Sequence, residues 1–184
     1  LFLDGNPYTP GNPLHAREQG IAMIYQELSL APHLSVMENI RLGIEPTRRG
    51  LILWDEMKSR ATAALSTVGL HKLSSETPVN QLSIAHQQLI EIARAVALDC
   101  RVLVLDEPTS SLTSKDIEKL FALVRSLSEK GISVIYISHF LEEVQALSHR
   151  YTVLRDGETV GSGQTAEARE ETIISLMVGR DVND

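Results

Sequence analysis

The chain has 184 residues, of which 43% are hydrophobic and 22% are charged, a composition typical of one soluble globular domain with at most a small subdomain attached. Seventeen basic residues against 24 acidic ones give a net charge of −7, which argues against nucleic acid as a partner. No apolar run approaches the roughly 20 residues that a membrane-spanning helix needs. The single cysteine, Cys100, and the absence of a secretory signal predict a cytosolic location.

Before Ser35, one segment of the chain is predicted to lie in the core. Leu1–Leu3, followed by Asp4–Gly5, indicates the end of a strand that runs into a turn. Residues 4–20 are rich in Gly, Pro and Asn and predict turn and loop. The apolar run Ile21–Tyr25 then predicts a buried strand.

Helical spacing replaces this pattern from Ser35 to about Asp99. One predicted helix ends at Gly69, and its apolar face is Met57, Ala61, Ala64, Leu65 and Val68. A second predicted helix is capped by Ser83. Its apolar side is Leu89, Ile90, Ala93, Val96 and Ala97. This stretch therefore predicts a helical subdomain.

Two buried strands and the helix between them follow. The continuous apolar run Val102–Leu105 is typical of a central parallel strand covered on both faces. A helix begun by Ser114 and ended by Gly131 has one apolar face, and Ile132–Ser138 predicts the next strand. A strand, a helix and a strand in this order predict a right-handed crossover with parallel strands.

The last part of the chain predicts a hairpin and a helix. Tyr151–Arg155 and Glu158–Val160 flank Asp156–Gly157, a dipeptide that favours a tight turn. Glu167–Gly179 predicts a surface helix. The fold class is therefore α/β, with a mixed sheet and an inserted helical subdomain.

Asp106 and Glu107 end the predicted central strand, where open α/β sheets place their ligands. Successive strand residues point to opposite sides, so the two acids would do different work, one of them holding a divalent metal ion. The alternative is that both acids only face solvent at the end of a strand.

The wider sequence around these acids resembles the nucleotide-binding subunits of ATP-binding cassette transporters, in particular those of bacterial sugar importers of the ribose, xylose and allose type. The segments that carry the resemblance are Gly20–Leu30, Leu82–Gln88, Leu105–Ser110, Tyr136–His139 and Leu176–Arg180. The likeness extends over nearly the whole chain. It implies a P-loop NTPase-like fold with a partial catalytic core at 1–34, a helical subdomain at 35–99 and further catalytic core at 100–184.

The resemblance also implies roles for four residues of the catalytic core. Asp106 would hold the Mg²⁺ that bridges the outer phosphates of ATP, and Glu107 would be the general base that polarises the attacking water. His139 would lie near the terminal phosphate. Gln26 would reach the metal ion or the water from a loop that contacts the membrane subunits. Taken alone, His139 reads as a structural residue and Gln26 as a surface residue.

A second set of residues is implied to face a partner. In the family, the helix N-terminus formed by Ser83, Ile84, Ala85 and His86 faces the ATP of the opposite subunit, and Ser110 belongs to a loop at the dimer seam. His86 departs from the common glutamine. An ordinary helix cap with no ligand is the alternative.

The implied cofactors are ATP and Mg²⁺, and the implied partners are a second cassette, transmembrane permease subunits and, indirectly, a periplasmic sugar-binding protein. The chain would act at the cytoplasmic face of the inner membrane.

One motif of the family does not occur in the 184 residues. A phosphate loop reads Gly-x-x-x-x-Gly-Lys-Ser/Thr, and none of the 11 glycines precedes a lysine. We therefore expect the first of two tandem cassettes, without its phosphate-loop (Walker A) part, and expect it to hydrolyse little ATP by itself. Loss of that part should also expose one face of the central strand and lower solubility and stability. The alternative is a non-catalytic module. It would supply one half of a nucleotide site whose other half (half-site) belongs to a partner ATPase.

Overall fold

The computed structural model describes residues 2–179 and divides after Ile137 into two compact units. The first unit contains, in chain order, β1 (Phe2–Leu3), β2 (Asn6–Pro7), α1 (Pro13–Glu18), β3 (Ile21–Ile24), α2 (Val36–Arg41), β4 (Thr47–Arg48), β5 (Leu51–Ile52), α3 (Trp54–Thr67), α4 (Ile84–Ala97), β6 (Val102–Asp106), α5 (Ser114–Glu129) and β7 (Ser133–Ile137). The second contains α6 (Leu141–Leu147), β8 (Arg150–Arg155), β9 (Glu158–Gln164) and α7 (Glu170–Val178). Within residues 2–179, no helix combines the length and apolar character that crossing a membrane requires.

Three parallel strands form the main sheet of the first unit, in the order β3, β6, β7. Val102 of β6 lies opposite Ile21 of β3 on one side and opposite Ser133 of β7 on the other. Leu103 and Leu105 of β6 have no exposed surface. The predictions of a central strand and of a parallel crossover through α5 are therefore confirmed.

Only one face of this sheet is buried. The prediction from the apolar run, that its strands are covered on both faces, is therefore wrong, whereas the exposed face agrees with the expectation that a cassette without its phosphate-loop segment uncovers one face of the central strand. Leu103 and Leu105 point to the buried face. Met23, Ile135 and Ile137 share the opposite face and are 43%, 52% and 42% exposed. A continuous apolar run indicates a strand, but it does not determine what covers each of its faces.

The segment before the sheet is more regular than the predicted turn and loop. β1 and β2 form a small antiparallel hairpin around Asp4–Gly5. α1 follows, because Asn12 caps it by accepting a hydrogen bond from the N–H of His15 (2.8 Å) and Pro13 is its first residue. The predicted strand from Ile21 is present as β3, but it ends at Ile24, one residue before Tyr25, and Ile24 is its one buried residue, so the prediction of a buried strand is only partly correct.

The helices α2, α3 and α4 pack against one another in the helical part of the first unit. The predicted apolar face of α3 is confirmed, since its five residues are at most 5% exposed. The predicted face of α4 is only partly correct, because Leu89, Val96 and Ala97 are half-buried. α4 buries Gln88 and Glu91 instead. The subdomain boundaries at residues 34 and 99 stay a prediction.

The second unit confirms the predicted hairpin. β8 and β9 pair antiparallel around Asp156–Gly157, both in the left-handed region (φ 52° and 81°). They form a sheet of their own, and the three-stranded sheet is all parallel, so the predicted mixed sheet is not found in residues 2–179. α7 begins at Glu170, three residues later than predicted, since Thr165–Glu167 is a 3₁₀ helix, and it ends at Gly179 with φ 79°.

Candidate functional site

Three segments that are distant in sequence line one cleft of about 330 Å³ in the first unit. They are the loop after β3, the first turns of α4 and the segment after β6. The lining residues are Gln26, Glu27, Leu28, Ile84, Gln87, Gln88, Glu107, Pro108, Ser110, Ser111 and Leu112. Of the residues predicted from the sequence, the cleft brings together Gln26, Ile84, Glu107 and Ser110.

Asp106 and Glu107 have different surroundings, as the alternation of strand residues predicts. Asp106 is the last residue of β6 and lies on the face of Val104. The N–H of Glu107 donates to the carbonyl of Ile137 (2.9 Å), which extends the ladder between β6 and β7 by one bond. Its backbone then enters the left-handed region (φ 44°), which is uncommon outside glycine. The chain turns at this point, and Glu107 lines the cleft while Asp106 does not.

The segment between Glu107 and α5 is a run of tight turns. The N–H of Ser110 donates to the carbonyl of Glu107 (3.4 Å), and that of Leu112 donates to the carbonyl of Thr109 (3.0 Å). Thr113 caps α5, one residue before the predicted Ser114. These bonds hold the exposed Ser110 at the edge of the cleft.

The N-terminus of α4 is capped as predicted. The hydroxyl of Ser83 accepts from the N–H of His86 (3.4 Å) and lies 2.8 Å from the Nδ1 atom of the same residue. Ile84 is 47% exposed and lines the cleft, whereas Ser83, Ala85 and His86 do not. The first turn of a helix has N–H groups without intrahelical partners and a partial positive charge, both of which favour an anion.

Two buried polar side chains fix the loop after β3. The carboxylate of Glu91, on α4, accepts from both the N–H (2.7 Å) and the hydroxyl (3.0 Å) of Ser29. Asn39, on α2, is fully buried and bonds both the N–H and the carbonyl of Ala31. Gln26, earlier in the loop, is exposed, and its side chain makes no hydrogen bond with another described residue. The loop is therefore anchored from residue 29 onward and free at Gln26.

Sequence reasoning missed Gln88, which lines the cleft one helical turn from Glu91. Gln88 is 5% exposed, and its Nε2 atom has no hydrogen-bond partner among residues 2–179. The sequence carried no usable signal for it: Ile84, Gln88 and Glu91 share one side of α4 by their spacing, but Ile84 is 47% exposed, so the spacing alone does not mark a buried stripe.

His139 belongs to the second unit. It follows Ser138, whose hydroxyl donates to Glu143 (2.6 Å) and accepts from the N–H of Phe140 (3.0 Å). The exposed ring of His139 lies 4.1 Å from the ring of Phe140, centroid to centroid. The predicted place of His139 beside a terminal phosphate stays a prediction.

An open parallel sheet with a cleft beyond the carboxyl end of its central strand is the arrangement of α/β ligand-binding proteins. The sequence profile of the ABC transporter family matches residues 1–110. The chain therefore belongs to the ABC transporter family.

Its relatives include sugar-import proteins. The chain is 41% identical over 183 residues to the galactofuranose transporter ATP-binding protein YtfR of Escherichia coli, and 45% identical over 183 residues to the xylose import ATP-binding protein XylG of Moorella thermoacetica. Each comparison covers 100% of this chain and 36% of the relative, so the chain spans about a third of the length of the curated relatives it matches.

A solved structure of the ATP-binding cassette MJ0796, a dimer in a post-hydrolysis state bound to ADP and Pi, superposes with a TM-score of 0.70. The two sequences are 28% identical, and the superposition covers 89% of this chain and 72% of that one. The predicted α/β cassette fold and the predicted resemblance to sugar importers are confirmed.

Proposed function

We propose that the chain is part of an ATP-binding and hydrolysing subunit that powers carbohydrate import across the bacterial inner membrane. The observation that supports the proposal is the cleft. It is lined by Glu107, by Gln26 in the loop after β3, and by the start of α4. Its partners would be a second cassette, transmembrane permease subunits and, through them, a periplasmic sugar-binding protein. This places its work at the cytoplasmic face of the inner membrane.

The side chains at the end of β6 and in the loop after β3 fit a magnesium nucleotide. Asp106 and Gln26 offer carboxylate and amide oxygens, the donors that Mg²⁺ prefers, and Mg²⁺ usually takes only one or two protein ligands beside phosphate and water. Among the described residues no group of three or more His, Cys, Asp or Glu could hold a metal ion, so these few donors would serve together with the phosphates. Bound with ATP, Mg²⁺ supplies charge neutralisation at the outer phosphates.

The remaining roles are those that the resemblance to the family implies. Glu107 would accept a proton from the attacking water, and His139 would hold the water and the terminal phosphate in place. The start of α4, Ser83–His86, would offer its N–H groups to the ATP of the opposite cassette, and Ser110 would contact that cassette at the seam.

ATP hydrolysis by the chain alone, and by the chain joined to a family-type segment with a phosphate loop, tests this function. We expect hydrolysis in the joined form only, because the lysine and N–H groups of that loop supply most phosphate contacts. In the joined form, Glu107→Gln should reduce the rate by about a hundredfold or more. Glu118→Gln, at an exposed acid of α5, is the matched control and should leave the rate unchanged.

Three outcomes would contradict the proposal. Equal rates for the joined form and its Glu107→Gln variant would remove Glu107 from the catalytic step. Turnover by the 184 residues alone would show that the chain does not need the phosphate loop. No turnover in either form would instead favour the non-catalytic module that completes a half-site in a partner.

A further inference from the structure

The strands β4 and β5, between α2 and α3 in the first unit, form an exposed hairpin. β4 and β5 pair antiparallel, and Trp54 follows them at the start of α3. Leu51 is 73% exposed, Trp54 is 51% exposed and Ile52 is 38% exposed. We call residues 47–52 together with Trp54 the basic hairpin, because they contain two adjacent arginines.

Both arginines are available to a ligand. Arg48 lies directly opposite Leu51 in the register of the hairpin, so the two side chains share a face. Arg49 is at the tip. Both are exposed, and neither makes an ion pair or hydrogen bond with another residue in the described part of the chain. In a chain of net charge −7, the basic hairpin thus combines free positive charge with exposed apolar surface.

The conformation at the tip is unfavourable for an arginine. Arg49 and Gly50 are the central residues of the turn, and both have a left-handed backbone (φ 53° and 81°). Such a turn favours Asn or Gly at its first central position, where a longer side chain is strained. Arg49 is exposed and makes no hydrogen bond or ion pair with another described residue that would offset this strain, and a strained conformation kept without such a contact points to a role in binding.

We propose that the basic hairpin binds the surface of a membrane that contains anionic phospholipid. Guanidinium groups bind phosphate oxygens in pairs, and basic side chains are drawn to an anionic leaflet. Tryptophan favours the boundary between headgroups and acyl chains. Arg48 and Arg49 would lie among the headgroups, with Leu51 and Trp54 at that boundary. Asp55, exposed next to Trp54, would repel the surface and limit binding to the tip.

The test uses the 184-residue chain without nucleotide, so its result is independent of the proposed ATPase function. The chain is mixed with vesicles of phosphatidylcholine alone or of phosphatidylcholine with phosphatidylglycerol. Trp54 is the single tryptophan, so its emission reports on the basic hairpin directly. We expect sedimentation with the anionic vesicles and a blue shift of the emission. Both should be lost at high salt and absent with neutral vesicles.

Substitutions separate binding from folding. Arg49→Asn should lower the partition coefficient roughly fivefold, the effect of one charge near an anionic surface, and leave the melting temperature unchanged or higher because the strain is relieved. Arg48→Gln should lower it by a similar factor, and Asp55→Asn should raise it. Lys72→Gln, which removes an exposed charge elsewhere, is the matched control and should have no effect.

Equal binding to neutral and anionic vesicles, or an unchanged partition coefficient in Arg48→Gln and Arg49→Asn, would overturn the proposal. Binding to natural membrane vesicles that is lost when the vesicles are first treated with protease would assign the basic hairpin to a protein partner instead.

Discussion

The amide of Gln88 is buried beside the cleft, and its Nε2 atom has no partner among the described residues. A buried donor without a hydrogen bond costs about 1–3 kcal/mol. Groups of this kind need an explanation, and a catalytic role or a bound water or ion is among the usual ones. Gln88 is therefore the residue of the cleft whose role stability alone does not explain.

Gln88→Met keeps the length of the side chain and removes its polar atoms. We expect the free energy of unfolding, measured by urea denaturation, to stay the same or to rise by about 1 kcal/mol. Ile90→Ala, two residues along the same helix at a fully buried position, is the control and should lose about 2–5 kcal/mol. A loss in Gln88→Met as large as that of the control would show that the amide stabilises the resting chain.

The positions of the two acids could be predicted from the sequence, but that of Gln88 could not. Asp106 and Glu107 follow an apolar run, and parallel strands place their ligands at that end. A polar residue on a helix reads as solvent-facing, and Gln88 and Glu91 are buried because the loop after β3 packs on them. That loop carries Ser29, which is 62 residues away from Glu91 in the chain.

α2 begins with a reciprocal cap that depends on charge. The N–H of Ser35 donates to the carboxylate of Glu38 (2.8 Å), its hydroxyl contacts the same carboxylate, and the N–H of Glu38 donates back to that hydroxyl (3.3 Å). The hydrogen bonds from the hydroxyl and the N–H of Ser35 hold the pKa of Glu38 below its ordinary value. Because the folded pKa is lowered, the carboxylate stabilises α2 above the pKa of the unfolded chain. The contribution is lost as the pH falls through the folded pKa.

Glu38→Gln should therefore lower the free energy of unfolding by about 1 kcal/mol at neutral pH and by less as the solution is acidified. Urea denaturation at a series of pH values measures the difference. Glu118→Gln, on the exposed face of α5, should show no such dependence. A difference between Glu38→Gln and the parent that stays constant with pH would mean that the cap does not need the negative charge.

Helices were more predictable than strand partners. The face of α3 follows from its own spacing, because one side of a helix is buried whichever element covers it. The pattern at α1 predicts a loop, because Asn12 and Pro13 occur in turns as readily as at helix starts. The pairing of Ile21 with Val102 had no local signal, since the residues that pair lie on either side of the helical insertion. The crossover from β6 to β7 did have a local signal, because one helical pattern separates the two strand patterns.

The exposed face of the main sheet bears on the behaviour of the whole chain. Met23, Ile135 and Ile137 form an apolar surface on strands whose other face is the core. Exposed apolar surface of this kind favours association between copies. Ile135→Thr removes apolar surface at a position that is 52% exposed and keeps a β-branched side chain.

We expect Ile135→Thr to reduce self-association, measured by light scattering at a series of concentrations, and to change the free energy of unfolding by less than about 1 kcal/mol. Leu103→Thr, on the buried face of the same sheet, should instead lose several kcal/mol. Unchanged scattering in Ile135→Thr would show that this face does not drive association.

The order of the strands also has a consequence during synthesis. Within residues 2–179, β3 pairs only with β6, and the whole helical insertion separates the two strands. A ribosome makes the chain from its N-terminus at about 5–20 residues per second, whereas helices form within about a microsecond. The helices of the insertion can thus form while they emerge, but β3 must wait, unpaired, for several seconds until β6 has been translated.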